Sequence, residues 1–301
     1  MTPASALLLV LLGAIWGASF PFIRVAVPSF GPVPLMAARV MIAAFAFVLY
    51  FALTRRRLDL GREPWRYLVL GALNAAIPFA LIAAAELRLN ASLGAILNST
   101  APLFSVFVAR IAFGASLRRA QVAGALIGIA GVGALVGVGD LTTDPEFVLA
   151  IAASLLAALS YAFGASYAAR TFPGARPLDI SAGQLIGATI LLVPAAVFTL
   201  PPTAPPPEAI GAMLALALLS TVVAYLIYFR LIAEIGATRA IAVTLLVPVS
   251  GVLLGTIFLG EVANANLLLG LGLILIGVSL VTGVVVGSKP DAPSAGDARA
   301  A

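Results

Sequence analysis

The stretch from Ala91 to Leu135 returns without a gap from Ala237 to Val281. One shift of about 146 positions lays Pro102 on Pro248, Gly114 on Gly260, Gly124 on Gly270 and Gly131 on Gly277. In each copy a proline sits in a long apolar run, a short glycine turn follows, and a second apolar run carries small residues at helical spacing. A chain repeated in this way folds as two related units. Proline-broken apolar segments at matching places in two halves also point to a carrier's binding site.

The solvent for such units follows from composition. Of 301 residues, 62% are hydrophobic and 10% charged, with a mean hydropathy of +1.15. A water-soluble fold of this length leaves roughly a quarter of its extended surface exposed, too much to hide so apolar a chain. A bilayer core of about 30 Å needs about 20 apolar residues of helix, and no alternating pattern for a closed barrel is present. The segments that meet this length are Ala4–Ile23, Pro34–Leu53, Tyr67–Leu87, Ala91–Phe113, Ala120–Val138, Phe147–Ala169, Ile180–Leu200, Ala209–Ala233, Thr238–Leu259 and Leu267–Val286. The expected fold is an all-α integral membrane protein of ten transmembrane helices. The first run lacks a basic start and continues through Trp16 to Ile23, so it reads as a span and not as a cleaved signal.

Basic residues give the orientation. Arg55, Arg56, Arg57, Arg62, Arg66, Arg110, Arg118, Arg119, Arg170, Arg176, Arg230, Arg239, Lys289 and Arg299 fall on one side, against Arg24 and Arg88 on the other. The positive-inside rule then places both termini in the cytoplasm. Five helices per half is an odd number, so the second half enters from the opposite side. The duplication therefore reads as a 5+5 inverted repeat, with units at 1–140 and 141–287. The residues from 288 to 301 read as a disordered cytoplasmic tail, being rich in Ala, Pro, Asp, Gly and Ser. Softer correspondences set Trp16-Gly17 opposite Tyr161-Ala162, Arg39 opposite Gln184, Asn74 opposite Ser220 and Phe79 opposite Tyr225.

The residue inventory excludes several chemistries. There is no cysteine and no histidine, which removes thiolates, the usual metal ligand and the usual proton shuttle. No catalytic, metal or cofactor site is expected, and the net charge of +5 sits in loops that orient a membrane protein, not in a nucleic-acid surface. Acids lie in loops or at helix ends, so facilitated diffusion is expected over proton coupling. Arg39 reads as a structural arginine, snorkelling or paired with carbonyls near the outer interface, whose charge could also attract a carboxylate.

The groups expected at membrane depth are neutral. Trp16, Ser19, Asn74, Phe79, Asn98, Ser99, Tyr161, Ser220, Tyr225 and Thr244 are the candidate substrate contacts. Amides and hydroxyls bond the head groups of a small zwitterion while rings pack its side chain. Serine and threonine can instead bond their own helix; Asn74 and Asn98 cannot satisfy a whole amide that way. Pro102 and Pro248 are the expected helix breaks, each lacking an N–H.

The run from Pro248 through Gly260-Glu261 to Gly270 and Gly277, with Trp16-Gly17 in the first helix, resembles the drug/metabolite transporter superfamily, EamA type. Within it the chain is similar to bacterial exporters of aromatic and other apolar amino acids. The inverted duplication with broken helices points to alternating access, and a monomer is expected because ten helices can close a cavity without a partner. The resemblance implies a basket-like bundle around a central cavity, in a multi-pass protein of the bacterial inner membrane. It offers other metabolite classes as alternatives: a nucleotide sugar, a purine or a cationic drug. One departure is visible, because Gly114-Ala115 stands where Gly260-Glu261 has an acid. Glu261 accordingly reads as a structural cap or an interface group.

Overall fold

Helix is the only regular structure among the residues described in this computed structural model, which are 2–61, 63–114, 116–136 and 144–284. In chain order the α-helices are α1 (Pro3–Gly17), α2 (Ser19–Phe30), α3 (Pro32–Leu53), α4 (Trp65–Gly71), α5 (Ile77–Ala85), α6 (Ala91–Asn98), α7 (Ala101–Phe113), α8 (Arg119–Val136), α9 (Pro145–Thr171), α10 (Pro177–Val197), α11 (Pro207–Ala217), α12 (Ala224–Ile235), α13 (Ala237–Ala240), α14 (Val243–Leu259) and α15 (Ala265–Thr282). Several of them join end to end. Among the described residues, eight continuous helical stretches are long and apolar enough to cross a membrane, beside two shorter apolar helices, α8 and α14. The boundary at 140 and the tail at 288–301 lie outside the described residues.

Local chemistry fixes the ends. The side chains of Thr2, Asn90, Asp144 and Asn264 accept from N–H groups in the first turns of α1, α6, α9 and α15, which would otherwise have no partner. Gly114 and Gly260 close α7 and α14 in the left-handed region, at φ of 64° and 66°. That conformation disfavours any side chain with a Cβ. The two residues are related by the same shift as the duplication, so the repeat extends to backbone geometry.

The repeat also shows in two irregular places. A π-helical turn at Ala72–Ala76 joins α4 to α5, and another at Leu218–Val223 joins α11 to α12. They start at residues related by the duplication shift. Such turns carry an extra residue and are frequent at functional sites. The soft pairing of Asn74 with Ser220 therefore falls within matching distortions, and that of Phe79 with Tyr225 just after them.

The expected break at Pro248 is corrected. Pro102 stands in the first turn of α7, after an interruption at Ser99 and Thr100. Pro248 lies inside α14, while the interruption falls at Ile241 and Ala242. A first-turn proline needs no N–H, whereas an interior one withholds a bond from the carbonyl four residues back, here that of Thr244. The second copy keeps its proline within the helix and turns earlier, through Ala242 N–H to Arg239 O and Thr244 N–H to Ile241 O bonds.

Packing follows the small residues. α8 and α15 run antiparallel in close contact: a Cβ on Gly124 would stand 2.6 Å from the Gly277 carbonyl oxygen, and one on Gly270 would stand 2.9 Å from that of Gly131. Each contact is the image of the other under the duplication shift. With no hydrophobic drive between helices in lipid, such close approach holds the pair. The main core lies between α2, α3, α5 and α10, around Leu35, Met36, Phe47 and Leu185. Outward, Phe45, Ile111, Phe198 and Phe258 are 68 to 87% exposed, a surface suited to hydrocarbon and not to water.

Candidate functional site

The interruptions converge. The junction of α1 with α2 at Ala18, both π-helical turns, the gap between α6 and α7, and the turn before α14 all border one cavity of about 630 Å³. All ten candidate contacts line it: Trp16, Ser19, Asn74, Phe79, Asn98, Ser99, Tyr161, Ser220, Tyr225 and Thr244. Pro102 lines it as well, but Pro248 does not. The lining runs from the buried Ile23 and Ile82 at one end to the half-buried Gln121 and Thr282 at the other. Those last two stand in the first turn of α8 and the last turn of α15.

Most hydroxyls here are occupied by backbone. Ser99 donates to the Ile96 carbonyl at 2.6 Å, Thr100 to Leu97 at 2.6 Å and Thr244 to Ile241 at 2.8 Å. These carbonyls lie close to interrupted helix ends and already accept the N–H of the same residue, so each hydroxyl adds a second bond to its own backbone. Ser220 instead crosses the bundle to the Ile15 carbonyl at 3.1 Å, beside the α1 and α2 junction. Ser160 of α9 likewise donates to Leu73 O at 2.7 Å, in the first π-helical turn.

The amides behave differently from each other. Asn74 Nδ2 donates to Gln184 Oε1 at 2.9 Å, and Gln184 Nε2 donates to the Tyr225 hydroxyl at 3.2 Å. Gln184 is 3% exposed and does not line the cavity. Its importance was missed, although its place opposite Arg39 in the duplication was the available signal. Asn98 Oδ1 is buried with no hydrogen-bond partner among the described residues. An acceptor left in that state costs about 1–3 kcal/mol.

Arg39 corrects the expectation of a snorkelling or carbonyl-bound arginine. It is 6% exposed, donates from Nε to the Thr221 hydroxyl at 3.0 Å, and holds its guanidinium carbon 3.8 Å from the centre of the Phe79 ring. Thr221 is itself fixed by donation to Leu216 O at 3.0 Å. Among the lining residues Arg39 is the single charged one. Glu86, at the end of α5, is wholly buried, and neither carboxyl oxygen has a partner among the described residues. It does not border the cavity.

Rings supply the remaining walls. Trp16 lies 5.3 Å from Tyr228, centre to centre, and Phe79 lies 6.4 Å from Tyr161, within the range of favourable aromatic pairs. Tyr228, which also lines the cavity, stands one helical turn beyond Tyr225. Among the described residues no group of three or more His, Cys, Asp or Glu could hold a metal ion. The arrangement can enclose a small molecule with an apolar body and a charged head.

Comparison with known proteins gives the cavity a setting. The model of the EamA-like transporter family matches the chain twice, over residues 4–137 and 148–283. An uncharacterized inner membrane transporter, YedA of Escherichia coli K12, is 29% identical over 273 residues, covering 89% of this chain and 87% of the relative. A probable terminal-alkyne amino-acid exporter of Streptantibioticus cattleyicolor is 24% identical over 289 residues, covering 96% of each. A solved crystal structure matches with a TM-score of 0.68 over 95% of this chain and 100% of its own, at 21% identity, a likeness of fold alone.

Proposed function

Because the chain belongs to the EamA-like transporter family, a family of multi-pass membrane transporters and not of enzymes, we propose that it exports small amphipathic metabolites, aromatic and other apolar amino acids foremost. The observation that carries this reading is the cavity itself: rings on its walls, polar groups at helix interruptions, and one cation with no acid among its lining residues. A cationic drug would need a buried acid there. A nucleotide sugar would need several basic groups for its phosphates, and Arg39 stands alone among the lining residues. The name of the Streptantibioticus relative, an amino-acid exporter, agrees with the reading.

In this reading ten helices form a 5+5 inverted repeat, in units at 1–140 and 141–287, with both termini on the cytoplasmic face of a bacterial inner membrane. The reciprocal glycine contacts of α8 and α15 support it, because two antiparallel equivalents related by a two-fold axis meet in this way. The cavity then opens toward the cytoplasm, at Gln121 and Thr282, and closes outward at Ile23 and Ile82. Rocking of the halves would expose it alternately, without a cofactor or a second copy, and transport runs down the substrate gradient. Counterflow of labelled phenylalanine into proteoliposomes tests the proposal: uptake driven by internal unlabelled phenylalanine is expected. Its absence, with purine or drug counterflow present, would transfer the assignment to that class.

A further inference from the structure

We propose that Arg39 is the anchor for the substrate's carboxylate, so that the transporter recognises the anionic end of an amino acid at the outer end of the cavity; this rests on the amino-acid reading above. A guanidinium taken out of water is costly unless its N–H groups are answered. Here only Nε is answered, by Thr221, and Phe79 covers one face. The two Nη groups make no hydrogen bond among the described residues, while the side chain borders the cavity. Those are the paired donors that match a carboxylate in a fork. Among the described residues no acid lines the cavity to compete for them, and Glu86 forms no ion pair with Arg39.

The neighbours complete a wall of donors. Tyr225 already accepts from Gln184, so its own O–H proton is free for another acceptor. The Tyr161 hydroxyl makes no hydrogen bond among the described residues and faces the same cavity. Both phenols share the cavity wall with Arg39, and Tyr161 lies 6.4 Å, centre to centre, from the Phe79 ring that the guanidinium covers. Asn98 supplies the opposite polarity: its unpartnered Oδ1 is an acceptor suited to the ammonium of the same molecule. A zwitterion held with its carboxylate at Arg39 would touch α3 of one half and, through Thr221 and Tyr225, the second half. The anchor thereby couples substrate binding to the contact between halves.

The test is competition against labelled phenylalanine, in binding and in counterflow, by phenylalanine, phenylalaninamide and 3-phenylpropionate, on the unaltered protein and on Arg39→Gln and Arg39→Lys. In the unaltered protein the amide should compete on the order of 30-fold more weakly than phenylalanine, because it lacks the charged acceptor. Arg39→Gln should weaken phenylalanine on the order of 10- to 100-fold and leave the amide nearly unchanged, with Arg39→Lys between the two. An amide as effective as phenylalanine in the unaltered protein overturns the anchor while leaving amino-acid export standing, and this arm needs no variant to fold. Equal loss of both compounds in a folded Arg39→Gln protein also overturns it. If phenylalanine neither binds nor moves, amino-acid export fails. In that case direct binding of labelled 3-phenylpropionate that Arg39→Gln abolishes upholds an anion site, and its absence removes that too.

Discussion

In the first half, Arg39 of α3 reaches across to Thr221 in the second π-helical turn and lies against Phe79. In the second half, Gln184 of α10 reaches across to Asn74 in the first π-helical turn and donates to Tyr225. Phe79 and Tyr225 are partners in the duplication, as are Arg39 and Gln184. The same corner is built twice, once with a cation beside the cavity and once with a neutral amide closed away from it. Backbone geometry has stayed nearly symmetric while charge has not. The difference teaches that backbone and charge vary independently between the copies: the cation stands where the side chain borders the cavity, the neutral amide where it does not.

The most severe way to break that comparison is to make the second corner like the first. Gln184→Arg would bury a second cation away from the cavity, where neither water nor a substrate can answer it, and would crowd the segment where Gly71 touches the Gln184 backbone. A cost of about 3–5 kcal/mol is expected, seen as a collapse of the folded peak in detergent chromatography. A protein that folds as before would show the two corners to be interchangeable.

Much of this was legible in the residues, and for a definite reason. Prolines and glycines constrain the backbone directly, so their recurrence at one shift carried over to matching positive φ at Gly114 and Gly260 and to paired glycine contacts. Neutral polar and aromatic residues in the middle of apolar spans stand out in the sequence, and all ten candidates border one cavity. What could not be read was direction. Whether Arg39 points outward to the interface or inward to a ring depends on the partner helix, and whether Pro248 breaks its helix depends on where the helix begins.

The glycine pair sharpens the comparison at the next level. A methyl on Gly277 would stand 2.5 Å from the Gly124 carbonyl oxygen, a backbone atom that can yield only by moving α8 from α15, whereas nothing lies within 4 Å of one on Gly133. Gly277→Ala should cost about 1–3 kcal/mol, and Gly133→Ala should be neutral or stabilising by up to about 1 kcal/mol. Thermal unfolding in detergent separates them; similar shifts would mean that α8 and α15 are not held by close approach.

A smaller asymmetry lies at Glu261. Its carboxylate accepts from the Ala91 and Ser92 N–H groups at 2.7 and 2.9 Å, and from the Ser92 hydroxyl. The second half thus caps α6 of the first, where a negative charge meets the positive end of the helix. Ala115, its partner in the duplication, has no carboxylate to return the service. Glu261→Ala should lower stability by about 1–2 kcal/mol, with Glu261→Gln recovering part. An unchanged melting temperature would leave this cap without weight.

The two prolines give the finest distinction, since they coincide in the duplication yet differ in setting. Pro102 occupies a first-turn position in which its fixed φ favours the helix and no N–H is required. Replacing it with alanine loses only that preorganisation, so a decrease below about 1 kcal/mol is expected. Pro248 is interior and buried. Alanine there restores a donor to the Thr244 carbonyl and relieves an interior-proline cost of about 3 kcal/mol, but leaves a void that offsets much of the gain. A rise of up to about 1 kcal/mol is therefore expected for Pro248→Ala, opposite in sign to Pro102→Ala. Melting temperatures of the two variants, measured beside phenylalanine counterflow, check this. Equal losses in both would mean that each proline marks the start of its helix, and would return the second copy to the symmetry that its backbone otherwise keeps.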